Sequence, residues 1–323
     1  MKWAARSFHK AEKIFFPNRA ACAVLLYHRI GPASPAGLPL AVSPEHFEQH
    51  LKCLRDYTVL SLENMVKLSS EGWLPKRSVV ITLDDGYADN LISAKPLLEK
   101  YGMPATVYVT AGMLDRERGF WWDDLERIFI GLVKIPEKLE LSIQNTKRIF
   151  LTANSGERQQ ARRELSAILK PLPAVEIESA LESICGWAGL PVKTGIEYRT
   201  LSTAELCRLA TGSLIEIGAH AVNHVVLAGQ SLDIQRQEIS QSKQKLEAAL
   251  GRPVKTFAYP YGLPEEHYTK DTARLVREYG FTSACSTARS SVKNHQHDFF
   301  QIPRFTVLDW SGEEFSRRLK EFF

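Results

Sequence analysis

Two short stretches of the 323-residue chain carry side chains whose types and spacing suit metal-assisted hydrolysis. In 78-SVVITLDDGYADN-90, six residues patterned as a buried strand end in Asp84 and Asp85, followed by Gly86. In 216-EIGAHAVNH-224, His220 and His224 stand four residues apart. On a helical turn such a pair projects from one face. Two imidazoles with one carboxylate make a common divalent-metal site that keeps positions open for water and substrate. The His-x-x-x-His spacing alone is a weak signal, and Asp-Asp-Gly alone is an ordinary turn. Together they say more, because one aspartate can complete the ligand set while the other stays a free base. A carboxylate with an ordinary pKa near 3.9 is ionised at neutral pH. It can take a proton from water that a cation has acidified toward about pKa 7.

Such residues need elements that bring them together. Apolar runs at 22–27, 78–83, 105–110, 214–218, 254–259, 281–286 and 301–307 read as strands. Helical patterns lie between them near 44–56, 88–101, 203–211, 232–250 and 265–279. Ser202 with Glu205 predicts a capping box, and Gly251 a helix stop. Strands alternating with helices predict an α/β protein with about seven parallel strands and right-handed crossovers, as a barrel or a wide open sheet. In such folds the strands' carboxyl ends share the face where active sites sit. His28, Asp84, Asp85, His220 and the 259-YPYG-262 stretch fall at or near such ends, and Arg304 lies on the last strand. The segment from about 115 to 197 breaks the rhythm and reads as a helical insertion, as in 155-SGERQQARRELSAILKPL-172.

Composition narrows the function classes. With 44% hydrophobic and 24% charged residues the chain is of ordinary globular type. A net charge of +4 without basic blocks argues against nucleic acid as a partner. Five scattered cysteines suggest a reducing compartment and no disulfide framework. No signal-length apolar run opens the chain, which points to a cytoplasmic location. The segment 2-KWAARSFHKAEKIFF-16 mixes aromatics with Lys2, Arg6, Lys10 and Lys13. It suits either a helix packed on the domain's flank or peripheral contact with the inner face of a membrane.

The motifs resemble those of the polysaccharide deacetylases with a NodB-homology domain, carbohydrate esterase family 4. The stretch 82-TLDDGYADN-90 resembles the family's Thr-Phe-Asp-Asp-Gly motif, and His220 and His224 its His-(Ser/Thr)-x-x-His motif with Ala221 in the hydroxyl position. The stretch 257-FAYPYG-262 resembles Arg-x-Pro-Tyr. The resemblance covers roughly 20–112 and 198–312. It implies a deformed (β/α) barrel spanning 21–323, interrupted by the insertion, with residues 1–20 as a separate segment. It further implies metal-dependent removal of N-acetyl groups from the amino sugars of a polysaccharide, oligosaccharide or lipid-linked glycan. Asp84 would be the general base. Asp85, His220 and His224 would hold one divalent metal, usually zinc, with cobalt, nickel or manganese as alternatives. The Tyr261 N–H would support the oxyanion, and Tyr259 and Pro260 would shape the groove.

Three departures stand out. Ala221 lacks the family's hydroxyl, Ala258 stands where an arginine pairs with the base, and the C-terminal Leu-x-His motif that carries the general acid is missing. Arg304 in 302-IPRF-305 is a candidate to orient Asp84, and His28 in 26-LYHRIG-31 a candidate acid. The latter pattern resembles a circularly permuted branch, the poly-N-acetylglucosamine deacetylases. Trp122, beside Trp121, could stack on a sugar or anchor the insertion. His267, His295 and His297 read as solvated, and Cys285 as packing. Two rival readings are a glycosidase using both aspartates, which would idle the histidines, and a catalytically degenerate glycan-binding member of the same fold.

Overall fold

In the computed structural model the described residues are 21–32, 40–116, 119–190, 198–295 and 298–323. The basic segment expected at 1–20 lies outside them, as does His297. The β-branched run of Ser78–Leu83 forms a central strand buried along its whole length. Ala21–Tyr27 lies parallel on one side of it, and Ala105–Val109, Ile215–Ala219, Thr256–Ala258 and Ser283–Cys285 follow in parallel on the other. Phe305–Thr306 adds a seventh parallel strand against Leu25 and Leu26. Short pieces extend the sheet, Thr58–Val59 in parallel and Val292–Lys293 antiparallel.

The run expected as one strand at 301–307 is two pieces. Pro303 has no N–H to give a ladder, and the chain changes partner there. Ile302 bridges Cys285 on one flank, and Phe305 pairs with Leu25 on the other. This segment joins the two flanks of the curled sheet, giving the deformed barrel.

The Leu232–Leu250 helix starts at the Ser231 cap and stops at Gly251 with φ 65°, and the Ser202–Glu205 capping box opens Thr203–Leu209. The expected 265–279 helix runs only over Lys270–Glu278, because Thr269 caps it late. A helix at Leu62–Glu71 was not anticipated; only Leu62, Met65 and Ser69 of it are buried, so its apolar stripe is thin. The insertion is not all helical. Besides helices Ser155–Leu169 and Ala174–Trp187 it carries an antiparallel hairpin, Lys138–Ile143 with Thr146–Leu151. The first strand alternates exposed and buried residues. Gln144 and Asn145 turn it with φ 50° and 61°, as a tight hairpin requires. These elements share an apolar cluster of their own around Leu125, Phe129, Leu141, Leu165 and Ile184.

The terminal helix Gly312–Lys320 lays Phe315 and Leu319 onto the barrel. Among the described residues no helix is long and apolar enough to cross a membrane.

Candidate active site

Strand ends deliver the polar residues to one mouth. His28, Asp84, Asp85, His220, His224 and Tyr261 line a single cavity of about 350 Å³. Asp84 leaves the central strand buried, and Arg304 meets it from beneath. Nη1 donates to Asp84 Oδ1 and Nη2 to Oδ2, both at 2.7 Å. Nη1 also donates to Thr82 Oγ1 at 3.2 Å and Nε to the Ser286 carbonyl at 2.9 Å, so the guanidinium is locked. Burial by itself would raise the Asp84 carboxyl, but the charge of Arg304, aided by His220, holds it below its ordinary value. Asp84 is therefore ionised at neutral pH. Arg304 thus stands where Ala258 left the third motif without a cation.

Asp85 turns away from Asp84 because its backbone is left-handed, with φ 77°. Its Oδ1 lies 3.5 Å from His220 Nε2 and 3.3 Å from His224 Nε2, yet it accepts no aligned hydrogen bond. A buried carboxylate oxygen left this way is costly. One ligand atom from each of Asp85, His220 and His224 lies within 4.8 Å of the others. In a tetrahedral zinc site with ligand bonds of about 2.0–2.1 Å, ligand atoms stand about 3.3 Å apart. His220 Nδ1 lies 2.7 Å from the Ala258 carbonyl, which can only accept. The ring proton is therefore at Nδ1, and the lone pair of Nε2 faces the cluster. Burial pulls the His220 imidazole down to about 4, so it is neutral at physiological pH. The orphaned oxygen, the spacing and the tautomer together fit a divalent metal.

The histidine pair does not sit on a helical turn. It spans a loop in which Ala221 and His224 have φ 59° and 56°, values no right-handed helix accommodates. Left-handed backbone is unfavourable by about 1–2 kcal/mol for an ordinary residue, so something must hold it. Glu238, from the Leu232–Leu250 helix, does so. Its Oε2 accepts from the N–H groups of Val222 and Asn223 at 2.8 and 2.9 Å, and Oε1 accepts from Asn223 Nδ2 at 2.7 Å. Glu238 was invisible in sequence, being one more polar position on a long amphipathic helix.

The other expected residues divide. His28 is half-buried at the end of its strand, with its carbonyl held by Asn90 Nδ2 at 2.9 Å. Tyr261 has φ 60° and its ring edges against His224, 4.7 Å between centres. Tyr259 and Pro260 do not line the cavity. The Tyr259 ring turns inward, stacks on Tyr268 at 3.7 Å and donates its hydroxyl to the Phe300 carbonyl at 2.9 Å. Trp122 reaches the cavity and anchors the insertion at once. It stacks on Phe120 at 4.5 Å, approaches His224 edgewise at 4.8 Å and donates Nε1 to Tyr87 Oη at 2.9 Å. Tyr87 passes the bond on to Asp123 at 2.8 Å. His267 is not solvated: it is buried, accepts at Nδ1 from the Leu263 N–H at 3.0 Å, and has Lys170 Nζ 2.8 Å from Nε2. Cys285 is buried, and burial pushes its thiol up to about 11, so it is inert packing.

The profile of the polysaccharide deacetylase family matches residues 72–133 and 192–284, and the gap between the two matches falls inside the insertion. YxkH of Bacillus subtilis strain 168, provisionally named a polysaccharide deacetylase, is 38% identical over 89 residues, which are 27% of this chain and 30% of that protein. The match thus spans under a third of that relative's length. A poly-β-1,6-N-acetyl-D-glucosamine N-deacetylase of Staphylococcus aureus is 22% identical over 285 residues, covering 87% of this chain and 73% of its own. Among solved structures, the Streptococcus pyogenes deacetylase PplD, in complex with acetate, superposes with TM-score 0.60 at 20% identity, covering 94% of this chain and 99% of that one. IcaB from Ammonifex degensii gives 0.59 at 17%, with 93% and 97% covered. With the profile matched on both sides of the insertion and the S. aureus N-deacetylase aligned along most of the chain, the likenesses support a polysaccharide deacetylase of the NodB type.

Proposed function

We propose that the chain hydrolyses the N-acetyl amide of amino sugars in a glycan, releasing acetate and leaving a free amine. The observation that carries this reading is the ionised Asp84, clamped by Arg304 and set beside the Asp85–His220–His224 cluster in one cavity. Asp85, His220 and His224 would hold one divalent cation, zinc being the first choice with cobalt, nickel or manganese as alternatives, and such an ion polarises the acetyl carbonyl and acidifies water.

The side chains do the rest. A carboxylate has about four lone-pair sites. The Arg304 fork occupies one on each oxygen, so Asp84 keeps lone pairs to accept the proton of an attacking water. As the water oxygen bonds to the carbonyl carbon, the Tyr261 N–H donates to the oxyanion that forms. Collapse breaks the C–N bond, and the nitrogen takes a proton so that it leaves as an amine. His28, lining the same cavity, would donate it. The glycosidase reading fits poorly. Asp84 and Asp85 both converge on His220 Nε2, at 3.9 and 3.5 Å, instead of facing each other across a glycosidic oxygen.

The name of the S. aureus relative makes β-1,6-linked N-acetylglucosamine oligomers the first substrates to test, beside chitooligosaccharides and N-acetylgalactosamine glycans. Acetate should appear in step with free amine, stop on chelation and resume with zinc or cobalt. A metal-loaded protein that leaves the N-acetyl groups of these and of phosphorylated or uronate-bearing sugars intact would overturn the reading in favour of a glycan binder. Chain cleavage without acetate would favour a glycosidase.

A further inference from the structure

One wall of the cavity comes from the insertion instead of the barrel. The Ser155–Leu169 helix packs Ala161, Leu165 and Leu169 into the insertion's apolar cluster. That docking turns the neighbouring Arg162, Arg163 and Ser166 onto the cavity that also holds Asp84 and His220. Arg162 is half-buried, and its Nε is sealed from solvent with no acceptor. Among the described residues, no hydrogen bond, ion pair or ring contact engages the Arg162 guanidinium. Among the described residues Arg163 bonds a neutral group alone, donating Nη2 to Gln160 Oε1 at 2.8 Å. Lys170, just past the helix, sits 4.6 Å over the Tyr261 ring and against His267, whose other neighbour Glu266 is largely exposed.

Among the described residues, no carboxylate balances these cations inside the cavity. The two that line it, Asp84 and Asp85, already face Arg304 and the histidine pair. A guanidinium drawn partly out of water without a partner is unfavourable, and its planar fork matches a phosphate or carboxylate with two parallel bonds. A neutral N-acetylated polymer would leave Arg162 unanswered.

We infer that the substrate carries an anionic oxygen group, a phosphate or a carboxylate, on or beside the N-acetylated sugar, and that Arg162 with Arg163 grips it. The inference rests on the proposed deacetylation and narrows its substrate class. A phosphate would belong to a sugar phosphate or a phosphate-linked lipid carrier, a carboxylate to a neighbouring uronic acid.

Three ligands separate these cases: N-acetylglucosamine 1-phosphate, a disaccharide of N-acetylglucosamine with glucuronic acid, and the neutral N-acetylglucosamine disaccharide. Binding is measured by calorimetry on the full metal-loaded chain with Asp84→Asn, so that nothing turns over. One of the anionic ligands should bind about tenfold or more tighter than the neutral one, and which one does so assigns the source. Adding Arg162→Met should bring that preference down toward unity, a loss of about tenfold or more, as expected for charged hydrogen bonds. In turnover by the otherwise native enzyme, Arg162→Met should lower the ratio of anionic to neutral kcat/KM, chiefly through KM. Arg163→Met carries the same expectation if circular dichroism shows that Arg162→Met has unfolded. Equal binding of all three ligands, or a variant that weakens all three in the same proportion, overturns the inference. Binding preference without acetate from any sugar would retire the deacetylase reading while leaving the anion site standing.

Discussion

Adjacent aspartates meet different partners here because the backbone turns between them. Asp84 ends the strand over Arg304, whereas Asp85, with φ 77°, swings toward the histidines. The two should therefore respond differently to the same substitution. Asp84→Asn keeps the shape of the side chain, leaves the metal-ligand cluster untouched and removes the basic oxygen. It should retain metal by elemental analysis and lose roughly 10²–10⁴-fold in kcat. Asp85→Asn should do the reverse first, losing metal. If Asp84→Asn sheds the ion while Asp85→Asn keeps it, the roles are exchanged.

Two elements carry consequences of their own. The loop between the histidines is held in a left-handed conformation by one carboxylate, Glu238, which collects three donors. It works where the family's loop hydroxyl is replaced by Ala221. Glu238→Ala should weaken metal affinity about 10–100-fold, as loss of a group that orients ligands does, read by competition with a chromophoric chelator. An unchanged affinity would mean that the loop holds itself. The Pro44–Leu54 and Gly312–Lys320 helices meet through His50, which stacks on Phe315 at 4.1 Å and lies 2.7 Å from the Trp310 carbonyl. Burial pulls His50 down to about 4, although the Trp310 carbonyl works the other way. An unfolded histidine titrates near 6.5. Between those values, as pH falls, the unfolded chain binds a proton that the folded chain refuses. The contribution of neutral His50 is thus complete above about pH 6.5 and lost on the way to about pH 4, on the order of 3 kcal/mol in all. In His50→Gln, which cannot titrate, the stability difference between about pH 7 and about pH 4.5 by urea denaturation should shrink by about 2–3 kcal/mol. Parallel pH profiles would remove His50 as the cause.

At the scale of the molecule, the proposed metal ligands come from separate parts of the barrel. Asp85 comes from the central strand's end, and His220 and His224 from the loop after Ile215–Ala219. An unfolded chain would hold no such cluster, so a bound ion should stabilise the fold by mass action. At a free concentration about 100 times Kd the gain is about 2.7 kcal/mol. The Tm of metal-free protein should rise with added zinc and saturate, and the triple replacement of Asp85, His220 and His224 by alanine should abolish the rise. A rise that persists in that variant would place the ion elsewhere.

The sequence by itself determined the local chemistry. The buried strand at 78–83, the Asp-Asp pair, the histidine spacing and the caps at Ser202 and Gly251 all follow from side-chain type over a few residues. So did the α/β alternation, because strand and helix periodicities are local patterns. Other features were present in the letters but outcompeted: 138-KLELSI-143 alternates as a strand should, yet sits in a segment whose neighbours read as helical. What only the tertiary structure decided is how distant groups meet. Nothing local ties Arg304 to Asp84, 220 residues away, or Glu238 to the N–H groups of Val222 and Asn223. The same holds for the burial of His267, the inward turn of Tyr259 and the bare guanidinium of Arg162 facing the cavity. Whether a charge is paired, buried or free depends on which surfaces close over it. That closure is set by barrel curvature and by the docking of the insertion, neither of which has a sequence-local signature.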